Sequence, residues 1–198
     1  MTDTNAIMQL FERTGAYLRG HFRLTSGMHS PEYLQCAKVL AYPKYAEELG
    51  SGLAEAIRPL CGGRVPKLVV SPALGGVIIG HEVARALGAR FLFTEREAGG
   101  QMTLRRGFAI EPGEPAVMIE DVVTTGGSSI EVIRIRRESG AEVLAAGSII
   151  DRSGGAVDLS VPRAALAVLK VVAYPPDQCP FCQQGIPVVK PGSRPTAG

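Results

Sequence analysis

The chain has 198 residues, of which 45% are hydrophobic and 20% charged, and its net charge is +2. That length suits one domain with a sizeable core, or one domain with a small appendage. The small net charge, without a long run of lysine or arginine, argues against a nucleic-acid partner. No apolar run reaches the ~18 residues that a membrane span needs, and no secretory signal is visible. We therefore expect a cytoplasmic protein with no membrane partner.

The first third of the chain predicts a helix, a flap and a second helix. Asp3 or Thr4 caps a first helix, whose apolar residues recur at helical spacing as far as Leu18. Short extended segments follow in residues 21–39, broken by Ser-Gly and Ser-Pro pairs, and they suggest a small β-rich flap. A proline then opens a helix over residues 43–57.

From residue 67 onwards, the pattern is that of an α/β sheet. Strands and helices are predicted in alternation, with strands at residues 67–71, 90–94, 116–119, 143–150 and 164–172 and helices at 75–87 and 129–139. This alternation implies a doubly wound, mainly parallel sheet flanked by helices, preceded by a small N-terminal helix-plus-β flap. Little regular structure is expected after about residue 185, because the end of the chain is rich in proline.

We divide the chain into three parts on this basis: residues 1–40 for the N-terminal helix and flap, 41–185 for the α/β core, and 186–198 for the tail. Ligands of a doubly wound sheet gather at the carboxyl ends of its strands. The segments expected at that rim are residues 71–76, 94–106, 120–129 and 151–155.

The most informative segment is residues 117–129, where an apolar strand leads into Glu120 and Asp121 and then into a loop of threonine, glycine and serine. Small residues let backbone N–H groups approach a phosphate, hydroxyls add donors, and the next helix adds its positive N-terminal end. The two carboxylates would repel that phosphate, so they face something else, such as ribose hydroxyls or a divalent cation. The segment predicts a sugar-phosphate site; the alternative is an ordinary strand–turn–helix junction with surface acids.

The other rim segments each allow two interpretations. Gly75 and Gly76 let backbone amides approach an anion such as diphosphate, or they serve only a tight strand-to-helix turn. The three arginines within residues 95–106 close a mobile loop over a multiply charged ligand, or they belong to a solvated hairpin. Arg152 donates hydrogen bonds from its planar guanidinium to a substrate carboxylate or ring oxygen, or it forms a structural ion pair with Asp151.

Four cysteines are present, and nothing in their number requires disulfides. Cys36 and Cys61 are isolated and are predicted to be inert. Cys179 and Cys182 form a C-x-x-C pair, which supplies two of the about four ligands that a structural zinc site needs. The three histidines lie far away in sequence. A metal site shared across a dimer and a redox pair both stay open, but we favour a local turn with reduced thiols.

The acidic motif also carries a family resemblance. The run that resembles the phosphoribosyl-diphosphate (PRPP) motif of type I phosphoribosyltransferases is Glu120-Asp121-Val122-Val123-Thr124-Thr125-Gly126-Gly127-Ser128. Over nearly its whole length the chain resembles the orotate phosphoribosyltransferases of that family. The matching segments are residues 21–33 (the flap that covers the base), 71–76 (the diphosphate loop), 95–106 (the mobile catalytic loop), Asp151 with Arg152, and the C-terminal residues 174–182.

The resemblance implies a reaction and its partners. The expected enzyme transfers the 5-phosphoribosyl group from PRPP to orotate, giving orotidine 5′-monophosphate and diphosphate in pyrimidine biosynthesis. Mg²⁺ is the implied cofactor, held mainly by PRPP rather than by protein side chains. The resemblance also implies a homodimer, because in this family the mobile loop reaches into the neighbouring subunit's site.

The resemblance further assigns residue roles. Glu120 and Asp121 meet the ribose hydroxyls, residues 124–128 hold the 5′-phosphate, and Arg152 meets orotate with Thr124 nearby. Catalytic roles are implied for Arg96, Glu120 and Asp121. The complete set implied for PRPP is Arg96, Glu120, Asp121, Val122, Val123, Thr124, Thr125, Gly126, Gly127, Ser128 and Gly75.

The sequence departs from the family pattern in its positive charges. Many members carry lysine where this chain has Thr25 and Gly75, and their mobile loop has an Arg-Lys pair, a further lysine and a histidine. Here Arg96 is the clearest match in the loop. Arg105 and Arg106 are candidates for the missing loop charge.

Two other functions stay open. One is a related transferase for a purine or another pyrimidine, and Arg152 discriminates against it because an acidic base needs a cation. The other is a PRPP-sensing regulator that keeps the fold without the chemistry. Such a regulator would be expected to carry a DNA-binding domain, for which this chain has neither spare length nor a basic helix.

Overall fold

A computed structural model describes residues 3–24, 26–138 and 140–191, without the side chains of residues 136–138. Within these residues the helices are α1 (Thr4–Arg13), α2 (Cys36–Leu40), α3 (Pro43–Ile57), α4 (Gly75–Leu87), α5 (Gly127–Glu138) and α6 (Pro180–Gln183). The strands are β1 (Tyr17–Arg23), β2 (His29–Leu34), β3 (Leu68–Pro72), β4 (Arg90–Arg96), β5 (Met102–Leu104), β6 (Pro115–Val123), β7 (Glu142–Asp151) and β8 (Arg163–Val168). Single 3₁₀ turns lie at Arg58–Cys61 and Pro176–Gln178.

Six strands form the central sheet, in the order β5-β4-β3-β6-β7-β8. All neighbours are parallel except β4 and β5, which are antiparallel. This is the predicted doubly wound, mainly parallel sheet. The chain runs from β3 to β4 on one side and then returns to β6 on the other side of β3, so the order reverses between β3 and β6. Open α/β sheets bind ligands outside the carboxyl ends of the strands at such a switch point.

Both faces of the sheet are buried, as expected for parallel strands. On β3, Val69 packs into one cluster while Leu68 and Val70 pack into the other, because successive side chains of a strand point to opposite faces. The first cluster includes the buried faces of α1, α3 and α4, and the second includes Val132 and Ile133 of α5. Within the described residues, none of the helices combines the length and apolar character needed to cross a lipid bilayer.

The N-terminal flap is the antiparallel hairpin of β1 and β2. Residues 174–189, which we call the C-terminal clasp, run beside it. The backbones of His29 and Tyr174 form a two-way bridge, with both N–H···O distances 2.8 Å. Val189 donates to the carbonyl of His21 and accepts from the amide of Arg23, again at 2.8 Å. The first and last parts of the chain are therefore joined by backbone hydrogen bonds.

Several predicted elements have the observed boundaries, and others were wrong. The helices at 43–57 and 75–87 are confirmed. Leu18 lies in β1 rather than in the first helix, because Gly15 adopts a positive φ of 63° just after α1. The extended flap pattern does not continue to residue 39, since Cys36–Leu40 forms α2.

The later strands show three further differences. Residues 102–104 are not loop but β5, which pairs with the end of β4. The motif strand does not end at Ile119, because β6 continues to pair with β7 as far as Val123. β8 ends at Val168 rather than at residue 172. Thr25, the predicted helix end at Ser139 and residues 192–198 of the predicted tail lie outside the described residues.

Candidate functional site

Two loops meet at the switch point, one after β3 and one after β6. The loop of residues 124–128, which we call the phosphate loop, leads directly into the N-terminus of α5. Gly126 has a φ of 77°, and a Cβ at that position would lie 2.5 Å from Cγ1 of Val157. Thr124 and Thr125 are exposed. The loop thus presents free hydroxyls and helix N-terminal amides on a backbone that tolerates only glycine at its tightest point.

The two acids lie within β6 rather than beyond it, so their side chains point to opposite faces of the sheet. Glu120 accepts a hydrogen bond from the hydroxyl of Ser129 on α5. Asp121 lies on the α4 side, where a Cβ on Gly75 would be 2.6 Å from either carboxylate oxygen. Each acid therefore faces the N-terminal turn of a different helix. A side chain at position 75 would therefore displace the Asp121 carboxylate.

Both carboxylates are harder to ionise than in water. The pKa of Glu120 is raised to about 7, mainly by burial and also by the neighbouring Asp121, against the Ser129 hydrogen bond and the charge of Arg96, which lower it. Burial also raises the pKa of Asp121, against hydrogen bonds from backbone N–H groups. The rim therefore holds two carboxylates that become fully ionised more readily when a cation or a polar ligand is bound beside them.

Arg96, at the end of β4, lies against the phosphate loop. Its two terminal nitrogens bind the carboxylate of Glu131 at 3.0 and 3.1 Å, and one of them is 3.4 Å from the hydroxyl of Ser128. A second contact runs to the carbonyl of Gly100, at 2.6 Å. Arg96 thus reaches the phosphate loop of its own chain through a bidentate pair with α5.

The other two loop arginines differ from Arg96. Arg106 forms two 2.7 Å hydrogen bonds with the carboxylate of Glu95 and lies over the ring of Phe93. Arg105 is exposed, and its charge acts on the same carboxylate. In this conformation residues 95–106 form a charged hairpin, in which Arg96 is the arginine that contacts the phosphate loop.

Arg152 follows β7 and is not paired with Asp151. The carboxylate of Asp151 accepts hydrogen bonds from the amide and hydroxyl of Ser153 and from the guanidinium of Arg163, which lies 2.5 Å away. Burial opposes ionisation of Asp151, but these contacts hold its pKa below the usual value. The Nε atom of Arg152 is buried and has no hydrogen-bond partner among the described residues. A buried donor without a partner is costly, so Arg152 is a candidate to bind an acceptor atom of a ligand.

The surroundings of Arg152 join the rim to the flap. Burial lowers the pKa of Arg152, and the nearby Tyr33, Glu32 and Cys36 oppose that shift. Burial raises the pKa of Tyr33, while the charge of Arg152 lowers it and the charge of Asp121 raises it. The flap hairpin therefore lies beside the acids and the arginine, where it can cover a planar ligand.

Sequence reasoning missed two sets of residues. Ser129, expected as a phosphate donor, instead binds Glu120, and Glu131, which holds Arg96, was not foreseen; both lie near the start of α5. The second set is a cluster of His21, His29, Cys179 and Cys182 at the junction of the flap and the clasp. Its members are widely separated in sequence, and only the pairing of the clasp with the flap brings them together.

Close relatives of the chain carry one name. An orotate phosphoribosyltransferase of Pelotomaculum thermopropionicum is 56% identical over 188 residues, which cover 95% of this chain and 96% of the relative. Proteins of the same name from Heliobacterium modesticaldum and Thermotoga maritima are 50% and 51% identical, over 95% of this chain and 97% and 98% of theirs. A scan of protein-family models found no match.

Solved structures show the same fold. The crystal structure of orotate phosphoribosyltransferase from Aeropyrum pernix matches with a TM-score of 0.68 and 25% identity, covering 83% of this chain and 94% of that one. The adenine phosphoribosyltransferase of Leishmania tarentolae matches with a TM-score of 0.62 and 20% identity, covering 86% and 90%. The second likeness concerns the fold alone.

Proposed function

The chain belongs to the orotate phosphoribosyltransferase family, and from that membership we infer that it transfers the 5-phosphoribosyl group of PRPP to orotate in pyrimidine biosynthesis. The products are orotidine 5′-monophosphate and diphosphate. The structural observation that best supports orotate is the buried, unpartnered Nε of Arg152 beside the flap. An acidic pyrimidine offers the carboxylate or ring oxygen that this donor lacks.

We propose that PRPP binds across the switch point. Its 5′-phosphate takes the amides and hydroxyls of the phosphate loop, with the positive end of α5 behind them. Its diphosphate lies at the N-terminus of α4, where Gly75 is exposed. Glu120 and Asp121 accept hydrogen bonds from the ribose hydroxyls from their two sides of β6. Arg96 is held where it can help to neutralise the bound phosphates.

A magnesium ion fits this donor set. The rim offers the carboxylate oxygens of Glu120 and Asp121, and hard cations prefer such oxygens. We propose that PRPP supplies most of the ligands and that any protein ligand comes from these two residues. When bound, the ion would offset the charge of the leaving diphosphate.

The residues of the site suit a transition state with positive charge on the ribose. As the bond from C1 to the diphosphate oxygen breaks, its electron pair leaves with diphosphate, N1 of orotate bonds to C1, and the N1 proton passes to the departing diphosphate or to solvent. Ionised Glu120 and Asp121 stabilise the charge that develops on the ring. Arg152 fixes the orientation of orotate, and the flap excludes water from the reacting atoms.

The proposal includes a homodimer in the cytoplasm. Leu74 in the diphosphate loop and Ile78 on α4 are 81% and 46% exposed, and a second copy of the chain would cover such apolar side chains. Light scattering of the purified protein measures its molar mass and so tests whether it is a dimer. The cytoplasmic location is supported by four cysteines that are all free thiols.

A panel of bases tests the activity. Purified protein is mixed with PRPP, Mg²⁺ and orotate, uracil, hypoxanthine or adenine, and absorbance is followed. We expect loss of orotate absorbance that depends on both PRPP and Mg²⁺, with the other bases at least about 100-fold slower, since they lack the carboxylate that Arg152 binds. Faster turnover of a purine would contradict the role of Arg152. PRPP binding without turnover of any base would point to a regulator.

The pKa of Glu120 predicts a pH dependence. Because that pKa is raised to about 7, Glu120 is protonated below this pH and cannot stabilise positive charge there. We expect kcat/KM for PRPP to rise with pH through about 7, and Glu120→Gln to be slower and to lack this rise. Glu55→Gln, which changes an exposed carboxylate on α3, is the control and should keep it. An unchanged rise in Glu120→Gln would assign the titration to PRPP or to another group.

A further inference from the structure

A second cluster of metal-binding side chains lies outside the nucleotide site. Nε2 of His21, Nδ1 of His29 and the sulfurs of Cys179 and Cys182 all lie within 4.8 Å of one another. Nε2 of His21 is 2.8 Å from Nδ1 of His29, 3.4 Å from the Cys179 sulfur and 3.7 Å from the Cys182 sulfur. Nδ1 of His29 is 3.3 Å from the Cys182 sulfur. Around a tetrahedral zinc ion, such ligand atoms lie about 3.3 to 3.8 Å apart. The three nitrogen–sulfur distances match this range, and the two nitrogens, now at hydrogen-bond distance, would move slightly apart around the ion.

The other ring nitrogen of His21 orients this histidine towards the cluster. Its Nδ1 lies 2.7 Å from the carbonyl oxygen of Ile186, which can only accept, so Nδ1 carries the proton. The lone pair of Nε2 therefore points at the other three ligand atoms. Metal-bound histidines almost always donate their second N–H to a carbonyl or carboxylate in this way.

The backbone holds both halves of the cluster in place. The bridge between His29 and Tyr174, and the bonds of Val189 to the flap, fix the clasp beside the hairpin. Phe181, between the two cysteines, stacks on the ring of His21 with centroids 5.5 Å apart. His21, His29 and Cys179 are buried, whereas Cys182 is exposed and leaves a path from solvent.

The composition of the cluster selects among its uses. A local turn or a redox pair needs the two cysteines but gives no reason for two buried histidines aimed at them. Two nitrogens and two sulfurs that converge within 4.8 Å suit zinc, whereas magnesium and calcium take oxygen ligands. We propose that His21, His29, Cys179 and Cys182 bind one structural zinc ion that fastens the C-terminal clasp to the flap. Four protein ligands close the coordination sphere, so the ion stabilises the fold and leaves no open position for chemistry.

Metal analysis of the full-length chain tests the site. Protein purified under reducing conditions, with any affinity tag removed, should contain about one zinc ion per chain by mass spectrometry. Cys182→Ser should lose it; because Cys182 is exposed, this variant should still fold. Cys61→Ser, which changes a buried cysteine outside the cluster, should keep it. Zinc content in Cys182→Ser equal to that of the unchanged protein would overturn the proposal.

Titration with cobalt reports the coordination geometry of the site, whichever metal the protein acquired during expression. Chelated, reduced protein titrated with Co²⁺ should show the visible bands of a tetrahedral ion and a thiolate charge-transfer band, saturating at about one equivalent. Cys182→Ser should show neither set of bands at one equivalent of Co²⁺. An octahedral spectrum, or no Co²⁺ binding by the reduced chain, would exclude the site.

The role as a fastener has its own test. Removing zinc with a chelator, with Mg²⁺ restored, should lower Tm by about 5 °C or more and raise the KM for orotate, because the flap loses its support. Re-added zinc should restore both, and the chelator should have no effect on Cys182→Ser. Release of zinc without a change in Tm or KM would show that the ion does not hold the clasp.

Discussion

Replacing Arg152 with alanine should lower kcat/KM for orotate by about 100-fold, which corresponds to about 2.7 kcal/mol of transition-state stabilisation. The Nε atom of Arg152 is buried and has no partner among the described residues, and Asp151 is already paired with Arg163. A charge-assisted bond to an anionic ligand in such surroundings contributes about 1.5 to 3 kcal/mol, and its loss leaves the substrate carboxylate unpaired. Steady-state kinetics with orotate varied at saturating PRPP measures the effect.

Two variants make this result specific. Arg13→Ala removes an exposed arginine from the far end of α1 and should keep full activity. Arg152→Lys keeps the charge but loses the planar fork, so it should recover only part of the activity. The KM for PRPP should change little in Arg152→Ala. An equal loss of affinity for both substrates would mean that Arg152 supports the rim as a whole rather than binding orotate.

Gly126→Ala should lower kcat/KM for PRPP by about 100-fold as well, again about 2.7 kcal/mol. The new Cβ would lie 2.5 Å from Val157, on a backbone with a φ of 77°, so the phosphate loop has to move. The amides that we propose to bind the 5′-phosphate move with it, and preorganised donors bind less well when displaced. Varying PRPP at saturating orotate, together with calorimetric binding of PRPP, measures the loss.

Gly113→Ala is the matched control. Gly113 also has a positive φ, 73°, but a Cβ there meets nothing within 4 Å, and the residue precedes β6 at the opposite rim. Both variants pay about 1 to 2 kcal/mol of backbone strain in stability. A loss of PRPP affinity in Gly126→Ala alone therefore reports the loop, whereas equal losses would report general destabilisation.

The parts of the site that could be predicted from sequence are those with a local signal. The acids, the glycine-rich loop and the start of α5 are contiguous, so their order along the chain already defines their arrangement in space. The same holds for α3 and α4, which begin at a proline and at a pair of glycines. These segments give the fold class and the switch-point site.

The parts that could not be predicted depend on contacts between distant segments. Asp151 pairs with Arg163 only because β8 lies beside β7, and Arg96 binds Glu131 only because β4 ends near α5. The acids stay within β6 because β7 continues to pair with them, which no local propensity indicates. The cluster of His21, His29, Cys179 and Cys182 forms only because a hairpin near one end of the chain packs against a turn near the other.

The junction of flap and clasp also has a consequence for synthesis of the chain. His29 and Tyr174 are 145 positions apart. At about 5 to 20 residues per second, the ribosome needs roughly 7 to 29 s after making the hairpin to deliver its partner. During that interval the hairpin is a two-stranded ribbon, which is marginally stable on its own. A nascent chain halted just after β8 would thus contain the complete phosphate loop, but its flap would lack the C-terminal clasp that holds it.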